Sequence, residues 1–111
     1  MMIKTDLPTM IARLQRSTQN VNNATNPAQL EAAQTFLVER GREVNAECRK
    51  IAAWLETADR WMNDKHPELN ANAKHEYNAQ WLSRLAEYEN AQQALDEAWN
   101  AYMGRLERQA A

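Results

Sequence analysis

With 111 residues, only 2 glycines and only 3 prolines, the chain has too few turn formers for the many reversals of a sheet protein, and its size suits one domain. Its 13 basic and 15 acidic residues nearly cancel, so no overall basic excess exists to neutralise a nucleic-acid backbone. The single cysteine, Cys48, excludes an internal disulfide framework, and no apolar run approaches the ~20 residues of a membrane span. The expected class is all-α: a short N-terminal helix followed by a long antiparallel helical hairpin. Together they make a three-helix, coiled-coil-like bundle that dimerisation would complete.

The first helix is expected over about 7–21. Asp6 suits the N-cap, and Pro8 suits the first turn, where its missing donor would be unpaired anyway. Leu7, Met10, Ile11, Leu14 and Val21 form its apolar stripe, with Arg13 and Arg16 off it. The asparagine-rich stretch 20–26 reads as a fraying end and a loop, because asparagine competes with the helix for its own backbone.

Asn26-Pro27 is a start signal for a second helix over about 27–64, ended by Lys65-His66-Pro67. Leu30, Leu37, Val44, Ile51 and Ala58 recur every 7 residues, and a companion row holds Gln34, Gly41, Cys48, Leu55 and Met62. Gly41 either bends this helix or marks a close approach by a neighbour. The period stays in phase across it, which favours one continuous helix.

After a connection over 64–72, a third helix is expected over about 71–108, with Asn70 or Asn72 as its cap. Trp81, Leu85, Tyr88, Leu95, Trp99, Tyr102 and Leu106, with Gln92 in the one polar gap, are spaced alternately by 4 and 3. That is a heptad seam, and it is expected to serve as core or as an oligomer interface. Two helices cannot bury both stripes, and a short first helix covers only part of one side. A homodimer follows as the expectation.

No arrangement in the chain points to chemistry. The two serines, Ser17 and Ser83, lack a nucleophile-elbow context, and no glycine-rich phosphate loop is present. His66 and His75 stand near Asp64, Glu68 and Glu76, but without the i, i+4 histidine or Glu-x-x-His spacing of bundle metal sites. Cys48 lies on an apolar row and reads as a small buried hydrophobe. No enzyme, cofactor or metal is expected. Arg40, Arg42, Arg49 and Lys50 interleave with Glu39, Glu43 and Glu47, a pattern of solvated ion pairs. With Lys4, Arg13 and Arg16 they define the alternative reading, a nucleic-acid-associated protein.

The remaining reading is a helical protein–protein interaction module: an adaptor, an assembly factor or a small inhibitor of the kind that phage and mobile elements encode. A protein partner and a cytoplasmic location are the expectation, since the N-terminus has no long apolar segment of a secretion signal. The partner-binding surface is expected at the connecting end of the hairpin, through Trp54, Trp61, His66, Tyr77 and Trp81.

The hairpin also resembles the small secreted helical hairpins of the WXG type, whose tryptophan sits at the turn between two long helices. Trp61-Met62-Asn63 stands where that motif would fall, with Asn63 in place of its defining glycine. Tyr102 is followed four residues later by Leu106, where the family's secretion pattern carries an acidic residue. The resemblance covers the hairpin alone and implies an exported interaction protein.

Overall fold

The computed structural model describes the backbone of residues 6–60 and 71–110, and the side chains of residues 6–60 and 78–107. Three α-helices occupy these residues: α1 (Leu7–Asn23), α2 (Pro27–Arg60) and α3 (Ala71–Ala110). No strand occurs among the described residues, and the fold is an all-α three-helix bundle.

Each early helix boundary is made by the side chain that the sequence offers for it. Asp6 is extended, with φ −79° and ψ 162°, and its carboxylate accepts the Thr9 amide at 3.0 Å. Asn26 accepts the Gln29 amide at 2.9 Å. Gln29 reaches back and accepts from both the amide and the hydroxyl of Thr25, at 3.1 and 2.9 Å. The Asn26 bond satisfies a donor that the first turn of α2 leaves open, and the Gln29 bonds hold the residue before the cap. The helix α1 runs two residues further than its asparagines suggest, to Asn23. Val21 is fully buried and docks that last turn, so packing overrides local preference.

The helix α2 passes through Gly41 without a break. Leu30, Leu37, Val44, Ile51 and Ala58 are all buried, as their spacing requires, and Cys48 is buried on the companion row. The pairs Gly41–Leu95, Cys48–Gln92 and Trp54–Arg84 show α3 running antiparallel to α2. Ile11, Leu14, Ser17 and Val21 of α1 close the third side. Arg105 donates from Nη2 to the Ala24 carbonyl at 3.0 Å, tying the far end of α3 to the corner between α1 and α2.

The face that α3 buries is not the seam of large residues. Its fully buried positions are Ala91, Ala94 and Ala98, with Ala101 partly buried beside them. Leu85, Tyr88, Leu95 and Tyr102 flank that stripe half-buried, while Trp99 is 59% exposed and Leu106 38%. The helix is thus rotated from the expected orientation by less than one residue's ~100° step.

At ~1.5 Å per residue, α1 with its 17 residues is about 25 Å long and α2 with 34 about 50 Å. Beyond the start of α1 the hairpin continues without it. Ile51 and Ala58 are buried there, outside the main core cluster.

Gly41 has no positive φ, and an added Cβ would meet Leu95 Cδ2 at 3.9 Å, an ordinary contact. Neither backbone conformation nor crowding requires glycine. Gly41→Ala should therefore stabilise the fold by about 0.5–1 kcal/mol, read as a rise in urea midpoint at unchanged slope. A lower midpoint would contradict the geometry.

The exposed Asp6 carboxyl is held below its ordinary pKa, first by its bonds to Thr9. A lowered folded pKa means that the cap's contribution is fully present above the unfolded value of about 3.9 and is lost as pH falls through the folded one. Asp6→Asn keeps a capping oxygen that does not titrate. The difference in melting temperature between wild type and this variant should change only below about pH 4; a change near neutrality would exclude the cap as its source.

Candidate interaction surface

Because alanines occupy the inner face of α3, the large seam residues are displaced to one edge of the α2–α3 pair, on the side away from α1. A groove results. Three hollows of about 340, 250 and 130 Å³ follow one another along it. They run from Glu31 and Tyr102 at one end, past Gly41 and Leu95, to Ala52 and Tyr88 at the other. The α2 wall spans residues 31–52, a length of about 30 Å at helical rise.

The middle of the groove is its most apolar part, where Leu37, Val38 and Gly41 of α2 face Leu95, Ala98 and Trp99 of α3. The Trp99 ring stacks on Tyr102 at 5.8 Å between centroids, with an 11° interplanar angle. Met103, 37% exposed, and Leu106 extend the apolar surface along α3. Gln34 Nε2 is buried at the Tyr102 end without a hydrogen-bond acceptor among the described residues. A buried donor left unpaired costs about 1–3 kcal/mol.

Charges stand along both walls. Arg42 and Arg49, together with Glu31 and Glu39, line the α2 side. Glu89 and Asp96 occupy the exposed flank of α3 next to the seam. None of these six takes part in an ion pair within the described residues, whereas Arg40, Lys50, Arg60 and Arg84 each hold a glutamate on their own helix.

The connecting end expected to bind a partner is described only in part. Trp61 and His66 lie outside the described residues, as does the side chain of Tyr77. Trp54 and Trp81 are half-buried. The Arg84 guanidinium sits 5.8 Å from the Trp54 ring centroid, a cation–π contact, and Trp81 Nε1 is buried without an acceptor among the described residues. Trp54, Ile51, Lys50, Glu47 and Arg84 line a hollow of about 180 Å³ where α1 no longer covers the hairpin.

The sequence reading missed Val38, Met103, Phe36 and Leu82 as surface features. Met103 was open to detection, standing four residues after Trp99 and three before Leu106. Phe36 lies on the opposite side, in a hollow of about 390 Å³ rimmed by Asn20, Asn23 and Gln29. Leu82 is 59% exposed, away from the seam.

No group of three His, Cys, Asp or Glu suited to a metal occurs among the described residues, and none of the described helices is long and apolar enough to cross a membrane. The side chains of His66 and His75 lie outside the description. Burial pushes the Cys48 thiol above its ordinary pKa; a hydrogen bond with Gln92 opposes this and the Glu47 charge adds to it. Gln92, the polar gap in the seam, lies beside Cys48 in the same hollow. A buried, protonated thiol is a poor nucleophile. Iodoacetamide at neutral pH should modify native Cys48 far more slowly than the same residue in urea, and equal rates would contradict its burial.

No family model, curated protein or solved structure matches this chain.

Proposed function

We propose that this chain is a non-catalytic protein-binding module whose working surface is the α2–α3 groove. The observation that carries the reading is Trp99. Its large ring is 59% exposed in the middle of an otherwise regular heptad seam. Covering what remains open would contribute roughly 2–3 kcal/mol of apolar burial. A groove about 30 Å long, lined by residues at coiled-coil spacing, has the dimensions of a helix laid along it. The unpaired Gln34 donor and the unpaired wall charges give such a helix polar partners to meet. Adaptors, assembly factors and small protein inhibitors work in this way, and the reading extends to that class without dividing it.

Nucleic-acid binding is less well supported. Arg40 and Lys50, half of the densest basic group, are held by Glu43 and Glu47 at 3.4 and 3.0 Å. Those glutamates would also repel phosphates.

A photo-crosslinking amino acid in place of Met103, in the protein expressed in its native cells, tests the reading. Met103 is exposed beside Trp99, so the probe should leave the core undisturbed. Irradiation should give a discrete protein adduct. Adducts to nucleic acid alone, or none, would overturn the proposal.

A further inference from the structure

We infer that the helix filling this groove belongs to a second copy of the same chain, related to the first by a two-fold axis parallel to the helices. This rests on the groove being a protein-binding surface, as proposed above, and adds the identity and register of its occupant.

The argument starts from symmetry. A two-fold axis running along the groove places α2 of each copy beside α3 of the other. Since α2 and α3 are antiparallel within one chain, each new neighbouring pair is antiparallel as well. The four long helices then form a bundle with the seam residues Leu95, Trp99 and Tyr102 inside it, and α1 of each copy stays on the outside. A rotation without translation keeps every residue at its own height along the bundle. The height relation inside one hairpin therefore also holds between copies.

That relation is fixed by Gly41–Leu95, Cys48–Gln92 and Trp54–Arg84. In this register Arg42 lies level with Asp96, and Arg49 level with Glu89, to within ~3 Å along the axis. Within one chain these groups stand on the two outer flanks of the groove, and no ion pair joins them. Between two copies, the flank of α2 carrying Arg42 and Arg49 meets the flank of α3 carrying Asp96 and Glu89. The two-fold axis makes each pairing twice. Two basic and two acidic positions, without an ion pair among the described residues and matched in height, constitute charge complementarity that a foreign helix would have to reproduce. A second copy has it by construction.

The test uses two double variants, neither touching the core. One carries Arg42→Glu with Arg49→Glu, and the other Glu89→Arg with Asp96→Arg. Each alone opposes like charges across its own two-fold, so sedimentation equilibrium should give a dimer dissociation constant raised roughly 10–100-fold over wild type. Mixed in equal amounts they should form a heterodimer of near wild-type affinity, because every pairing is then opposite in sign. A single chain with all four substitutions should dimerise like wild type. Circular dichroism confirms that each variant keeps its helix content.

A wild type that stays monomeric into the high-micromolar range would overturn the inference, as would variants that self-associate normally or a mixture that fails to pair. The earlier crosslinking separates the two failures. Adducts to another protein with a monomeric wild type would leave the binding groove standing and remove the second copy. The absence of any protein adduct would remove both.

Discussion

The structure depends on alanine. Ala91, Ala94 and Ala98 are the only fully buried positions among the described side chains of α3. With one methyl group each, they let α3 settle into the trough between α1 and α2. A helix that approaches this closely cannot turn a tryptophan inward at the same level. Large residues on the adjoining stripe are therefore carried to the edge. The close approach and the exposed Trp99 are two consequences of one choice of face. Arg105 fixes the choice at the far end, since its bond to the Ala24 carbonyl needs that side of α3 turned toward the α1–α2 corner. That carbonyl follows the last turn of α1, where positive charge is also favoured by the helix dipole.

Unequal helix lengths divide the molecule into two regimes. Where α1 lies on the hairpin, the core is aliphatic and closed: Leu14, Val21 and Val44 are fully buried. Beyond its first residue the hairpin has to shield its own inner face. Arg84 occupies the face of α3 that alanines occupy further along, and it lies over Trp54 while pairing with Glu87. A long cation with an apolar stem can cover an aromatic surface and still keep its charge in water. That substitution lets a two-helix stretch extend a three-helix core without leaving its tryptophan bare.

The readable part of this chain was the part in which one signal stood alone. Asp6 and Asn26 act locally, through bonds to amides three residues on, and caps of this kind need no tertiary information. The α2 stripe of Leu30, Leu37, Val44 and Ile51 has no rival on its helix, and every member is buried. On α3, two stripes share the same period. One is built from alanine and the other from Trp99, Tyr102, Leu95 and Leu106. Periodicity cannot rank them, and hydrophobic size favours the stripe that this chain buries only in part. The deciding term is how closely three helices can approach, which depends on all of them at once. The groove was illegible for the same reason: Val38 and Trp99 are distant in sequence and line one hollow from opposite walls only after α3 has chosen its face. Of the anchor residues expected at the connecting end, Trp54 and Trp81 fall within the described side chains and are half-buried, Trp54 beside Arg84.

The charges on the groove walls bear on specificity more than on affinity. Exposed ion pairs contribute about 0.2–1 kcal/mol each, less than the burial of a single tryptophan. An apolar seam alone, however, tolerates slippage by a heptad, because positions seven apart are again apolar with Gln92 the one exception. Slipping one way sets Arg42 against Glu89 but leaves Arg49 facing Leu82. Slipping the other way sets Arg49 against Asp96 and leaves Arg42 facing Met103. Each slip forfeits half of the pairs and sets a guanidinium against an apolar neighbour. It also adds a translation to the rotation, and a rotation with translation does not close: it would propagate copies into an open filament. In the proposed dimer the arrangement at matched heights pairs Arg42 and Arg49 with Asp96 and Glu89 and would terminate at two copies. In the dimer proposed above, apolar burial on Trp99 would supply the attraction, and the charge pattern would select the one register in which the assembly is finite.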